Sequence, residues 1–286
     1  MLRRARTGSL ASVVLGFCFL AGCVATARLA AAQAPDYKLV EPGYLTVGTY
    51  GTGIPAIIVG PGDKLGGLDG ALVTAFARDH NLKIKLYQTT FASQILAVEQ
   101  GKIDLGTFVF YTAERAKHVY YTFPFWVSHT VLFTLKSTPY TDAKSMEGKR
   151  VGTVIGFVWA PYLQKWSATG GMLFPDQTTV AQALLNGQID AYVNGEAAMH
   201  TPPISDSADV TEHRLKAGDF GFPETLLANI SYNIVNCGNP GLAKAMDQEF
   251  VKMHADGEWA KVLKENKLGA DADVEPKAPE QVCSGG

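Results

Sequence analysis

The residue whose type and placement point most directly to chemistry is Arg115, in the run Tyr-Thr-Ala-Glu-Arg at residues 111–115. A planar guanidinium offers two parallel donors to a planar anion, which an ammonium cannot match. The run also reads as the capped first turn of a helix, with Thr112 as the cap. A cation there opposes the helix dipole, so the placement calls for a specific partner, against the plainer reading of a surface arginine. Other chemistry finds little support. The six histidines are dispersed without metal-ligand spacing, and no Gly-x-Ser-x-Gly elbow occurs. The run Gly-Thr-Gly-Ile-Pro-Ala at 51–56 mimics a dinucleotide fingerprint, but Pro55 interrupts it and no helix follows directly.

The elements that must position these residues alternate from residue 44 onward. YLTVGTY (44–50) reads as a buried strand and GLDGALVTAFARDHN (67–81) as a helix, with Leu72, Val73, Phe76 and Ala77 on one face. KIKLYQT is a strand, ASQILAVEQ a helix stopped by Gly101, and IDLGTFVF a strand. A second run repeats the order: KRVGTVIG as strand, WAPYLQKWSAT and VAQALLN as helices, the latter stopped by Gly187, then IDAYVN as strand. Gly101, Ile103 and Asp104 thus match Gly187, Ile189 and Asp190. The polar stretch 200–224 precedes the strand LLANISYNIVN and two helices, the first capped by Asn239 with Pro240 at its first position. Such alternation predicts α/β architecture with a mainly parallel sheet flanked by helices.

With 286 residues, 47% of them hydrophobic and 18% charged, the chain has room for two lobes. A net charge of −2 with scattered Lys and Arg gives no case for nucleic acid or an anionic membrane surface. Residues 1–34 join a basic start, an apolar run and small residues, the pattern of an export signal. Cleavage is expected at Ala32/Gln33, while Leu20 to Cys23 (LAGC) fits a lipobox that would lipidate Cys23. Outside the leader, which holds Cys18, only Cys237 and Cys283 remain: one disulfide in an oxidising compartment, or two inert thiols.

Six motifs in order, GLDGALVTAFA, AVEQGKID, YTAERAKHVYYTFPF, SMEGKRVGTVIG, ALLNGQIDA and GEWAKVLKENKLG, resemble the amino-acid type of bacterial periplasmic solute-binding protein, family 3 of the ABC-importer receptors. The resemblance spans roughly residues 44 to 270. It implies the two-lobe periplasmic-binding-protein type II fold. Lobe 1 would be 35–130 plus 230–270, lobe 2 131–229, and the tail 271–286. Two crossover strands near Phe125–Val131 and Leu227–Ser231 would form the hinge. It also implies a monomer without cofactor, delivering a small ligand to an inner-membrane permease.

On this resemblance Arg115 takes the ligand carboxylate, and the turn GFVWAP (156–161) offers backbone N–H groups from the other lobe, with Phe157 and Val158 replacing the family's hydroxyl residues. Thr107, Phe108 and Phe110 stand where small hydroxyl residues are common, Tyr50 where an acidic or polar residue is, and Gly53 where an aromatic often stacks. Phe108 and Phe110 either line a greasier pocket or point into the core. The family's ammonium-binding Asp falls on Gly195; strand alternation sets Asn194 and Glu196 on the other face unless a bulge intervenes. The expected ligand is therefore not a standard zwitterionic amino acid. Alternatives are a secreted dehydratase of the same fold with Glu196 as acid, and a sensor or accessory binding protein.

Overall fold

The computed structural model describes residues 36–51, 53–62, 64–166, 171–269 and 272–283; the expected leader with Cys18 and Cys23 lies outside them. The chain opens with β1 (Tyr44–Thr49), a hairpin of β2 (Ile58–Gly60) and β3 (Lys64–Gly66), α1 (Gly67–Asp79), β4 (Lys83–Gln88), α2 (Phe91–Glu99) and β5 (Leu105–Phe110). It continues through β6 (Val119–Leu135), β7 (Val151–Val154), α3 (Ala160–Trp166), β8 (Met172–Phe174), α4 (Gln177–Leu185) and β9 (Ala191–Gly195). Strands β10 (Val210–Arg214) and β11 (Ala228–Asn236) and helices α5 (Pro240–Ala255) and α6 (Glu258–Glu265) follow.

The strands order as β4-β1-β5-β11-β6-β9-β7-β8, with β10 beside β6. Parallel pairing is confined to β1 with β4 and β5, and to β7 with β8 and β9. The long strands β6 and β11 run antiparallel to each other and to β5 and β9, so the sheet is mixed instead of mainly parallel. These two are the crossovers: Trp126 to His129 pair with Ser231 back to Ala228. Pro124, which has no N–H for the ladder, sits opposite Tyr232, where the register shifts. This is the two-lobe α/β fold with two crossover strands.

The repeated phrase has one physical cause in both places. Gly101 (φ 63°) and Gly187 (φ 67°) take the left-handed conformation that ends α2 and α4. The aspartate then staples the first strand of its own half. Asp104 N–H donates to Thr46 O (3.0 Å) while Thr46 N–H donates to Asp104 Oδ2 (2.8 Å). Asp190 and Arg150 make the same reciprocal pair, both bonds at 2.8 Å. The isoleucines pack on matching glycines. A Cβ on Gly48 would lie 2.6 Å from Ile103 Cδ1, and one on Gly152 2.9 Å from Ile189 Cδ1. Both helices are capped, α2 by the Thr90 hydroxyl and α4 by the Asp176 carboxylate.

Elsewhere Asn239 precedes α5 with Pro240 first, as expected, but its side chain makes no cap. Its amide instead pairs with the main chain of Lys38, donating to the carbonyl at 2.7 Å. Cys237 and Cys283 form a disulfide with Cα atoms 5.8 Å apart. Beside it, Cys283 N–H donates to Ala116 O (2.8 Å), and the Gln281 amide pairs with both main-chain groups of Tyr121. The tail is thereby fixed against the segment that follows Arg115.

The two aspartate staples differ in burial. The Asp104 side chain is buried, and it also accepts from Val40 N–H (2.7 Å); Asp190 faces the half-exposed Arg150. Asp104→Ala should therefore cost about 1–3 kcal/mol in urea unfolding, and Asp190→Ala clearly less. Equal losses, or none, would contradict the staple role.

Candidate ligand-binding cleft

Between the two halves lies a cavity of about 20 Å³, room for roughly one water. One wall is built by Tyr50 after β1, Phe91 at the start of α2, Phe108 and Phe110 on β5, and Arg115. The facing wall is the Phe157–Val158 turn after β7, Gln177 at the start of α4, and Asn194 and Gly195 at the end of β9, with Ala197 and Ala198 beyond. Phe91 and Gln177 are the first residues of the two capped helices, equivalent places in the repeat that sequence reasoning did not connect to the site.

Arg115 satisfies both readings of its sequence. Its N–H donates to Thr112 Oγ1 (3.1 Å), so the turn is capped as expected, although the helix is only the three-residue turn Arg115–Lys117. The side chain enters the cleft. Nη1 donates to Phe110 O (2.8 Å) on its own wall, and Nη2 donates to Gly156 O on the facing wall. The guanidinium lies 5.0 Å from the centre of the Phe91 ring. Burial lowers its pKa, which the Tyr121 and Tyr50 hydroxyls partly offset, and an arginine stays protonated in any case. Among the described lining residues it is the one charged side chain.

The aromatics form a single array across the cleft. Phe157 stands edge-on to Phe91 (4.9 Å, 86°) and to Tyr50 (6.0 Å, 75°). Phe108 stacks on Tyr50 (6.2 Å, 8°), and Phe110 meets Trp159 edge-on at 5.9 Å. Phe108 and Phe110 thus line the cleft, and Phe108 is also part of the buried core. Phe108 takes φ 51°, a costly conformation for a residue with a side chain. Two side chains hold it there: Asp69 Oδ2 accepts its N–H (2.9 Å), and the Tyr50 hydroxyl donates to its carbonyl (2.8 Å). Its ring fills the space beside Gly53, where a Cβ would come within 3.0 Å of Phe108 Cε1.

Two expected site residues lie elsewhere. Thr107 points to the other face of β5: its hydroxyl donates to Gly48 O (2.8 Å), and its carbonyl accepts from Gln94 Nε2 (2.9 Å). Glu196 opens the tight turn Glu196–His200, which carries its carboxylate out of the cavity. There it meets His129 Nδ1 (3.0 Å) and Arg214 Nη2 (3.3 Å). The Phe157 turn also departs from expectation, because Phe157 N–H is spent on Val154 O (3.1 Å) and the turn presents the Gly156 carbonyl to Arg115.

Asn194 does border the cavity, together with Gly195, because β9 gives way to the turn at this pair and alternation ends. Its amide nitrogen donates to Gln177 Oε1 (2.9 Å) and to the Tyr192 hydroxyl, while Oδ1 accepts Gly195 N–H (2.8 Å). Gly195 has φ −75°, which any residue adopts, so space alone restricts it. A Cβ there would stand 2.5 Å from Ser128 Oγ on the crossover strand. Ser128 is fully buried and its hydroxyl has no hydrogen-bond partner among the described residues.

A two-lobe α/β protein with a cleft crossed by one half-buried cation and an aromatic array is of the ligand-binding class. The chain belongs to the bacterial extracellular solute-binding proteins, family 3, whose model matches residues 45–267. A probable histidine-binding protein of Campylobacter jejuni is 25% identical over 189 residues, 65% of this chain and 74% of that protein. Two solved structures share the fold. The substrate-binding protein of an amino-acid ABC transporter is 20% identical with TM-score 0.70, over 78% of this chain and 98% of that one. A Streptococcus pneumoniae uptake-transporter protein with bound histidine is 18% identical with TM-score 0.68, over 82% and 95%. Members of this family are binding proteins.

Two outcomes follow from this geometry. Gly195→Ala should cost about 1–3 kcal/mol through overpacking, and adding Ser128→Ala should restore most of it; a double variant no better than the single would refute the steric account. Burial pushes the Asp69 carboxyl up to about 7, against the pull of Asn233 and Phe108 N–H. Its unfolded value is near 4, so from about pH 4 to 7 the folded protein keeps a proton that the unfolded chain has lost. Stability then falls as pH rises through that window. Asp247, also pushed to about 7 by burial, acts in the same direction. Thermal unfolding at pH 5 and 8 should show a smaller drop in Asp69→Asn than in the parent.

Proposed function

We propose that this chain is the solute-capturing receptor of an ABC importer, exported to the periplasm, taking a small carboxylate-bearing solute in the cleft between its lobes. The lobes are residues 35–130 with 230–270 and residues 131–229. Residues 1–34 are the leader, removed near Ala32/Gln33 or before a lipidated Cys23, and 271–286 the tail. The chain acts as a monomer toward an inner-membrane permease. The observation that carries the proposal is Arg115: a half-buried cation between the two walls, held by one neutral carbonyl from each. A carboxylate is a stronger acceptor for a guanidinium than a carbonyl and accepts two parallel donors. A solute arriving when the walls part would take the guanidinium from Gly156 O and bring both walls together around itself, selecting the closed form. The relatives' recorded ligands and transporter roles, amino acids captured for uptake, support the same class of partner.

Thermal-shift screening of the mature protein against a panel of organic acids and amino acids tests this reading. Binders should raise Tm through mass action. Arg115→Ala should abolish the shift and Arg115→Lys should leave a weakened one, since Lys supplies charge without the planar fork. Full retention in Arg115→Ala would remove the anchor role.

A further inference from the structure

We infer that the cleft selects a monocarboxylate with an apolar, ring-sized body and no ammonium group, an arylalkanoate being the chemical type. The inference rests on the carboxylate-receptor reading above and deepens it. Three observations carry it.

The first is the charge inventory. Arg115 is the one charged group among the described lining residues of this cavity; Asp176 lines the adjoining pocket beside Tyr50 and Gln177, but both its oxygens are engaged by Thr179, so the cavity itself offers one positive charge and no free negative one. An ammonium carried in beside the carboxylate would lose its water and meet rings and amides, and burying an unpaired ion is costly. The amides offer it little. Asn194 and Gln177 are bonded to each other, and Asn194 Oδ1 is engaged by Gly195 N–H. The buried acid nearest the array, Asp69, does not line the cavity, and it faces the Phe108 main chain from behind the ring.

The second is steric. A Cβ on Gly195 would stand 2.5 Å from Ser128 Oγ, with Ser128 Cβ next at 3.6 Å, so a side chain on this part of the wall requires the serine hydroxyl to give way. Gly195 and Ser128 together are therefore specificity determinants. Among the described residues the Ser128 hydroxyl has no hydrogen-bond partner that would explain it at a fully buried position, and its contact with Gly195 is its visible contribution.

The third is the character of the walls. Phe157 meets Phe91 and Tyr50 across the cleft edge to face, with centroids 4.9 and 6.0 Å away. When the walls separate, those ring faces lose their partners together. A solute with its own ring replaces the lost contacts, whereas a polar body leaves them unmatched.

The test compares 3-phenylpropanoate, L-phenylalanine and 2-phenylethylamine by isothermal titration of the mature protein. These share one body and differ in carboxylate and ammonium. 3-Phenylpropanoate should bind at least about tenfold more tightly than L-phenylalanine, phenylethylamine should not bind, and Arg115→Ala should lose the carboxylate. The double variant Gly195→Asp with Ser128→Ala supplies an acid and room for it, and should narrow the tenfold ratio. L-Phenylalanine binding as well as its deamino analogue, succinate binding more tightly than 3-phenylpropanoate, or a ratio unmoved in the folded double variant would each overturn the inference. Arg115-dependent binding of an amino acid would do so while sparing the carboxylate-receptor reading; absence of any carboxylate binding would remove both.

Discussion

The bridge from the Arg115 guanidinium to Phe110 O and Gly156 O is the constraint on which the cleft's organisation depends. A cation withdrawn from water must be given acceptors, and here one comes from each wall, so the charge itself ties the halves together. The rest of the local structure serves to aim it. Thr112 caps the turn that carries it, and the Phe91 ring supports its plane. The disulfide-anchored tail bonds to Ala116, the next residue, through Cys283 N–H. That bond gives the Cys237–Cys283 link a consequence near the site beyond the constraint it places on the unfolded chain. The tail braces the segment from which the arginine projects.

The doubled Gly-x-Ile-Asp phrase supplies the frame. In each half a left-handed glycine stops a helix, an isoleucine packs on a strand glycine, and an aspartate exchanges two bonds with the start of the half's first strand. Because the halves are built alike, equivalent positions face each other across the cleft. The first residues of α2 and α4, Phe91 and Gln177, are such a pair. Identical scaffolding therefore delivers a ring from one side and an amide from the other. The chemistry of the site is set at positions that the repeat leaves free.

This explains which parts were legible in the sequence. The helix stops, strand entries and most element centres follow from local chemistry and were readable to within a few residues. Of the long strand β6 only the crossover near Phe125–Val131 was expected, its earlier part being masked by Pro124, and β10 was hidden by its polar sequence Val-Thr-Glu-His-Arg, since it pairs along one edge only, with β6. At the site, Arg115, Tyr50, Phe108, Phe110, Phe157, Val158 and Asn194 all reach the cavity. Thr107 and Glu196 do not, for different reasons. Alternation gives the two faces of β5 but not which one meets α2, and Thr107 is on that face. Glu196 follows the last residue of β9, where a turn redirects the chain, and strand periodicity carries no information past a strand's end.

The filling of the cleft bears on affinity as well as identity. Phe157 makes edge-to-face contacts with Phe91 and Tyr50, each worth about 0.5–1.5 kcal/mol beyond burial, and the Arg115–Gly156 bond adds to them. Any solute that separates the walls must offset all three. A small hydrophilic anion answers only the arginine. A solute with both a ring and a carboxylate answers the rings and the arginine together, so the closed array works as a filter in its own right. Phe108 sharpens that filter. Its left-handed backbone is fixed on one side by Asp69 and on the other by the Tyr50 hydroxyl, which leaves its ring no easy retreat. On the proposed function, selectivity would reside in the face that carries Arg115 and Phe108.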